Sequence, residues 1–183
     1  MLIDDLSELP DTFKDGVRGV MLLHRNKDGS TGNAQRKSIK MISNGIVDWN
    51  NKIEQLRHLQ ATAYPNHRIY SSVNSRSMTK TSHQFKRREL DLENHCEIAK
   101  TEFYVDIVNR FFSCLMCPSS KQQSYFLIDC DEDEEYEKAI DRIPEDYILA
   151  DYATKNGRHI ISKPFNPHEI KIEVKTDDLI YIG

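Results

Sequence analysis

The sequence lacks the features of several protein classes. No run of about 18 apolar residues is present, so no membrane-spanning helix is predicted and no membrane partner is expected. The first eleven residues carry four acids, Asp4, Asp5, Glu8 and Asp11, where a secretory signal needs a basic segment before an apolar one. A cytoplasmic location is the expectation that follows. Only 7 glycines and 6 prolines occur in 183 residues, and 38% of the chain is hydrophobic. Those proportions exclude collagen-like, low-complexity and disordered chains and leave enough apolar surface for one packed domain. Four cysteines, Cys96, Cys114, Cys117 and Cys130, are too few and too unevenly spaced for a disulfide framework. Cys114 and Cys117 form a lone CxxC whose nearest completing ligands, His95 and Cys96, lie roughly five helical turns upstream, so buried thiols are expected instead of a zinc site. The GxxxxGK[ST], GxSxG, GxGxxG and HExxH patterns are also missing.

What the chain does have is segregated charge. The net charge of −4 hides a basic region, residues 14–88, with 15 Lys and Arg against four acids. It also hides an acidic region, residues 129–151, with 11 acids against Lys138 and Arg142. Such a pattern holds a polyanion in one part and cations in the other, or it simply solvates two faces.

Periodicity gives the elements. Residues 17–24 and 39–47 read as strands joined by a polar loop at 26–33. Trp49, Ile53, Leu56 and Leu59 form the stripe of a helix over 48–63 capped by Asp48 and ended by Pro65. A strand over 67–73 and a basic helix over 75–92 follow, then one continuous helix over 98–115 with Phe103, Ile107 and Phe111 on one side. Beyond residue 120 the pattern becomes strand 125–131, acidic helix 132–143, strand 147–153, strand 158–163, short connector 164–170 and strand 178–182. That order is close to the ferredoxin-like βαββαβ unit of RNA-recognition-type folds. The predicted class is α+β: an N-terminal α/β basic unit (1–120) packed on a C-terminal antiparallel unit of this RNA-recognition (RRM-like) type (121–183).

Three motifs carry candidate chemistry. Strand periodicity puts Asp129 and Asp131 of Asp129-Cys130-Asp131 on one face, where two carboxylates repel unless a cation such as Mg²⁺ neutralises them. The competing reading is that Asp131 caps the following helix. An EF-hand beginning at Asp129 is excluded, because its sixth position is Glu134 and its twelfth Ile140. The second motif follows the turn at Asn156 and Gly157. Here His159 and Lys163 share one strand face and Arg158 and Ser162 the other, a set suited to holding a triphosphate beside an acidic metal site. The third is Lys175-Thr176-Asp177-Asp178, whose acids become further metal ligands if this segment lies beside the acidic strand.

Taken in order, Asp129-Cys130-Asp131 after an apolar run, Gly157-Arg158-His159 opening a strand, and a late acid resemble the three-part signature of the archaeo-eukaryotic primase (primase-polymerase) superfamily. The resemblance covers mainly residues 125–183. It implies a template-dependent nucleotidyltransferase of DNA replication or repair. Asp129, Asp131 and Asp178 (or Asp177, with Glu173 a further candidate) would hold two divalent ions, Mg²⁺ or Mn²⁺, and His159 would contact the incoming nucleotide. Lys163, Arg158, Ser162 and Arg76 are the remaining candidate nucleotide contacts. Arg68, Lys80, Lys86, Arg87 and Arg88 are candidate contacts to single-stranded or primed nucleic acid, since residues 67–88 contain no acid. Without a helicase segment of its own, the chain is expected to work with a helicase or other replication proteins.

Two other classes stay in view. A noncatalytic single-stranded nucleic-acid-binding module of the RRM type would stack bases on an RNP1 pattern, which is absent. A metal-dependent nuclease uses the same carboxylate pair, because two-metal sites also hydrolyse phosphodiesters. A rolling-circle initiator needs a His-hydrophobic-His pair, and here His159 is followed by Ile160 and Ile161.

Overall fold

The structure is a computed structural model that describes residues 9–24, 38–92, 95, 97–154, 157–169 and 172–183. The predicted loop at 26–33, Cys96 and the turn residues Lys155 and Asn156 lie outside the described residues. In chain order the elements are α1 (Asp11–Lys14), β1 (Val17–His24), β2 (Ile39–Asn44), α2 (Ile46–Thr62), β3 (His67–Ser72), α3 (Met78–Asp91), α4 (Glu97–Val105) and α5 (Ile107–Leu115). Then come β4 (Phe126–Cys130), α6 (Asp133–Arg142), β5 (Ile148–Ala153), β6 (Arg158–Ser162), β7 (Val174–Lys175) and β8 (Leu179–Tyr181). The fold is α+β, with two antiparallel four-stranded sheets ordered β2-β1-β3-β8 and β5-β6-β4-β7.

Alternation along the strands decides which face each sheet buries. On β4, Leu127 enters the main core, whereas Ile128 and Cys130 pack with Ala139 and Ile143 of the α6 side. On β6, Ile161 follows Leu127 and Ile160 follows Ile128. The main core therefore joins Leu127, Ile161 and Tyr152 of the second sheet to Val20, Leu22, Ile69 and Ile180 of the first and to Trp49, Ile53 and Leu56 of α2. The Trp49 indole N–H meets its hydrogen-bonding need inside this core by donating to Ser71 Oγ at 3.0 Å. The opposite face of β1 packs Met21 against Phe112 and Leu115 of α5.

Four expectations are corrected. The helix expected to begin under an Asp48 cap starts at Ile46 behind Gly45, whose φ of 83° suits glycine, and Asp48 reaches back from the first turn to accept the Asn44 N–H at 2.9 Å. The helix expected to run unbroken over 98–115 breaks at Asp106, so that Phe103 of α4 and Phe111 of α5 both meet Phe85 of α3, at 5.5 and 5.4 Å between ring centroids. The last strand, expected as the fourth strand of the βαββαβ unit, instead pairs with β3 through Tyr70↔Tyr181, Ser71↔Ile180 and Ser72↔Leu179. The edge strand beside β4, on the side away from β6, is the two-residue strand β7, which the sequence pattern did not show. A helical connector predicted over 164–170 is reduced to a single 3-10 turn, Pro167–Glu169.

Candidate active site

The main-core face of the second sheet runs out into polar residues at one end, and there three strands align three side chains. Asp129 on β4 lies directly opposite His159 on β6, and His159 directly opposite Tyr152 on β5. His159 Nε2 is 2.9 Å from Asp129 Oδ1, and its Nδ1 is 3.3 Å from the Tyr152 hydroxyl. From the other side, the Lys175 ammonium on β7 donates to Asp129 Oδ2 at 3.0 Å and stands 3.6 Å from Asp178 Oδ2. Residues far apart in sequence thus form one chain of contacts: Tyr152, His159, Asp129, Lys175, Asp178.

The electrostatics follow from the neighbours. The His159 hydrogen bond, with Lys175 beside it, outweighs burial and holds the Asp129 carboxyl well below the usual carboxylate range. Burial works against the Lys175 ammonium, but Asp129 and Asp178 prevail and its pKa is raised, so it stays charged. Burial, reinforced by the Asp129 charge, pushes the Tyr152 hydroxyl far up and keeps it a protonated donor. On the opposite face, burial with Glu135 nearby pushes the Cys130 thiol up to about 11, which leaves it inert at neutral pH.

Gly157 explains why a small residue stands two positions before the histidine. A Cβ there would be driven into the Cys130 carbonyl oxygen and would come within 3.0 Å of Asp131 Cα. The start of β6 can lie flat on the end of β4 only without a side chain, and that close approach sets His159 opposite Asp129.

The other expected site residues are distributed as follows. Asp131 is exposed one position beyond β4; its N–H donates to Glu135 Oε2 at 3.1 Å, and the α6 cap is Glu132, so Asp131 does not cap the helix. Asp177 is bound by Arg76 through two bonds, of 2.8 and 3.1 Å, with the side chains 8% and 1% exposed. Arg76, read as a nucleotide contact, therefore ties the end of β3 to the segment between β7 and β8. Arg158 donates to Asp151 Oδ1 and lies over the Tyr136 ring, on the face away from His159. Ser162 is buried on that same face, and its Oγ has no partner among the described residues. Lys163 donates to the Asp146 carbonyl at 2.8 Å, about 13 Å along the strand from His159 at the usual rise per residue. Glu173 is exposed.

On the basic side, Lys80, Lys86, Arg87 and Arg88 are exposed along α3, and Arg68 lies over the Tyr181 ring. Lys80 donates to the Lys121 carbonyl, and the Lys121 ammonium donates to the Thr176 carbonyl at 3.1 Å, so the start of α3 adjoins the segment bearing Asp177 and Asp178. Lys175, Tyr152 and Lys121 were not picked out by the sequence reading. Counting the β5–β6 hairpin outward from its turn places Tyr152 opposite His159, and Lys175 opens the very motif that contains Asp178.

Carboxylate oxygens of Asp129 and Asp178 converge on one cation, the Lys175 ammonium, and such hard oxygen donors suit Mg²⁺ or Mn²⁺. Among the described residues no three His, Cys, Asp or Glu side chains already gather as a metal-binding group. An apolar cleft of about 290 Å³ between β2, α3 and α5, lined by Ile42, Phe85 and Phe111 among others, shares no residue with this cluster. No described helix is long and apolar enough to cross a membrane. Comparison with protein families, with curated proteins and with solved structures finds no match to this chain.

Proposed function

We propose that the chain is a template-dependent nucleotidyltransferase of the primase-polymerase kind, which joins nucleoside triphosphates on single-stranded or primed nucleic acid. The observation that carries this reading is the convergence of Asp129, His159 and Asp178, from three separate motifs, on one sheet end through Lys175. The strand order β5-β6-β4-β7, with α6 linking β4 to β5, supports an RRM-like unit, because it is the order of a βαββαβ sheet. The exposed cations of α3 support a nucleic-acid path beside it.

Divalent ions held by Asp129, Asp131 and Asp178 would supply activation of the attacking 3′-hydroxyl and neutralisation of the triphosphate. The chain's own contribution is position and charge. His159 Nε2 and Lys175 Nζ flank the Asp129 carboxylate, one at each oxygen, so a phosphate group held beside Asp129 would meet two donors that the sheet already positions. Tyr152 and the Leu127–Ile161 core beneath keep that end of the sheet rigid, which holds the donors in place for in-line attack. Arg76 and Asp177 anchor the segment that carries Asp178.

The test is incorporation of labelled nucleotides on single-stranded DNA, with and without an annealed primer, in Mg²⁺, Mn²⁺ or EDTA. Metal-dependent lengthening is expected, and lengthening without primer makes the enzyme a primase. Metal-dependent shortening would show a nuclease, and unchanged strands with retained binding would show a noncatalytic module; either result overturns the proposal.

A further inference from the structure

The face of the second sheet that carries Asp129 holds a buried tyrosine to which the reaction outlined above gives no chemical step. Tyr152 is 6% exposed, its ring packs edge-on against the His159 ring at 5.4 Å between centroids, and it belongs to the main core. Its hydroxyl lies 3.3 Å from His159 Nδ1, its one hydrogen-bond partner among the described residues. A buried hydroxyl hydrogen left without an acceptor is costly. Were Nδ1 to carry a proton, the Tyr152 hydrogen would have no acceptor among those residues. The hydroxyl therefore donates, Nδ1 accepts, and the imidazole proton stands on Nε2, where Asp129 Oδ1 receives it at 2.9 Å. The Tyr152 hydroxyl also stays protonated throughout the neutral range, because burial and the Asp129 charge raise its pKa.

We infer that Tyr152 is a positioning residue for His159: by donating to Nδ1 it fixes the imidazole as the Nε2–H form and aims that N–H at the sheet end beside Asp129, where a nucleotide phosphate oxygen would be bound. The inference rests on the nucleotidyltransferase reading for the identity of the phosphate but not for the Tyr152–His159 bond. Register makes the arrangement rigid: Tyr152, His159 and Asp129 are opposed residues on three adjacent strands, so the ring cannot turn without breaking both contacts.

The experiment reads the ¹⁵N signals of His159 in the full-length chain, together with nucleotide incorporation by wild type and Tyr152→Phe. In wild type the proton is expected on Nε2, with Nδ1 a hydrogen-bonded acceptor. In Tyr152→Phe the Nδ1 signal is expected to move to that of an unbonded acceptor. KM for nucleotide should then rise by roughly threefold to tenfold, the range spanned by one neutral hydrogen bond, with a smaller change in kcat. A wild-type proton on Nδ1 overturns the inference even if Tyr152→Phe fails to fold, and so does an Nδ1 signal unmoved in the variant. An unchanged KM in an active enzyme reduces Tyr152 to a packing residue and also overturns it. If wild type incorporates nothing, the nucleotidyltransferase reading fails and the phosphate role with it, while the ¹⁵N signals still decide the Tyr152–His159 bond.

Discussion

Replacing Arg76 by Met removes one half of the ion pair with Asp177. The guanidinium and carboxylate are 1% and 8% exposed, joined by bonds of 2.8 and 3.1 Å, so each has exchanged water for the other. After Arg76→Met, the Asp177 carboxylate keeps one described hydrogen bond, from the Asn74 amide at 3.3 Å, and its charge has no cation in contact. Breaking a buried pair from one side costs about 3–5 kcal/mol. Against a total stability of about 5–15 kcal/mol for a typical domain, that is a large share. At about 2–4 °C per kcal/mol for a chain of this size, the melting temperature should fall by roughly 6–20 °C. The double variant Arg76→Met/Asp177→Leu removes both charges and should recover most of that loss, because a hydrophobic pair of similar volume replaces a buried salt bridge at little cost. A remaining deficit of at most about 1 kcal/mol is expected, because the Cys117 carbonyl and the Asn74 amide each lose one hydrogen bond and keep another, from the Ser120 N–H and to the Thr176 carbonyl. Urea unfolding of wild type, both single variants and the double variant closes the cycle. A loss under about 1 kcal/mol in Arg76→Met, or a double variant as unstable as the two singles summed, would refute the reasoning.

Gly157→Ala pushes a methyl group into the Cys130 carbonyl, so it should destabilise the chain by about 1–3 kcal/mol and lower incorporation by displacing His159 from Asp129; thermal unfolding and the incorporation assay check both effects. Asp129 has a folded pKa below its unfolded value of about 4, so its contribution to stability is present above about pH 4 and is lost as the pH falls below it. Urea midpoints measured from pH 7 to pH 3 in EDTA should therefore drop further in wild type than in Asp129→Asn. Neutralising Lys86, Arg87 and Arg88 together should reduce the dependence of log K on log salt for single-stranded DNA by about 0.7 for each lost phosphate contact, read by fluorescence anisotropy across a salt series.

Much of the fold is legible in the sequence where burial follows a period. The strand predicted at 17–24 has the bounds of β1, and the alternation of Leu127 with Ile128 and of Ile160 with Ile161 marks the two faces of the second sheet. What periodicity does not carry is which strand pairs with which. Ile180 and Ile182 read as a strand, and they are buried, but nothing local says that their partner is β3 and not β4. The helix break at Asp106 escaped for a related reason: Phe103, Ile107 and Phe111 keep a four-residue spacing across it, so the apolar stripe looks continuous. Polar residues in the interior were hidden more thoroughly. Ser71, Ser72, Asn74, Ser75 and Arg76 are all buried, whereas composition reads such a run as exposed. In the candidate site, the Asp129–His159 pairing was foreshadowed by the motif order, while Lys175 and Tyr152 become visible only once strand register is known.

The proposed role of Asp129 in nucleotidyl transfer is tested by template-directed nucleotide incorporation with Asp129→Asn beside wild type, with circular dichroism to show that both are folded. The substitution keeps the size of the side chain and removes the charge on which His159 Nε2 and Lys175 Nζ converge. Incorporation by wild type and a loss on the order of 100-fold or more in the variant is the predicted result, the magnitude seen when a preorganised electrostatic group is removed from a reaction centre. Equal incorporation by both proteins would contradict the account, as would a wild type that binds nucleic acid and extends nothing.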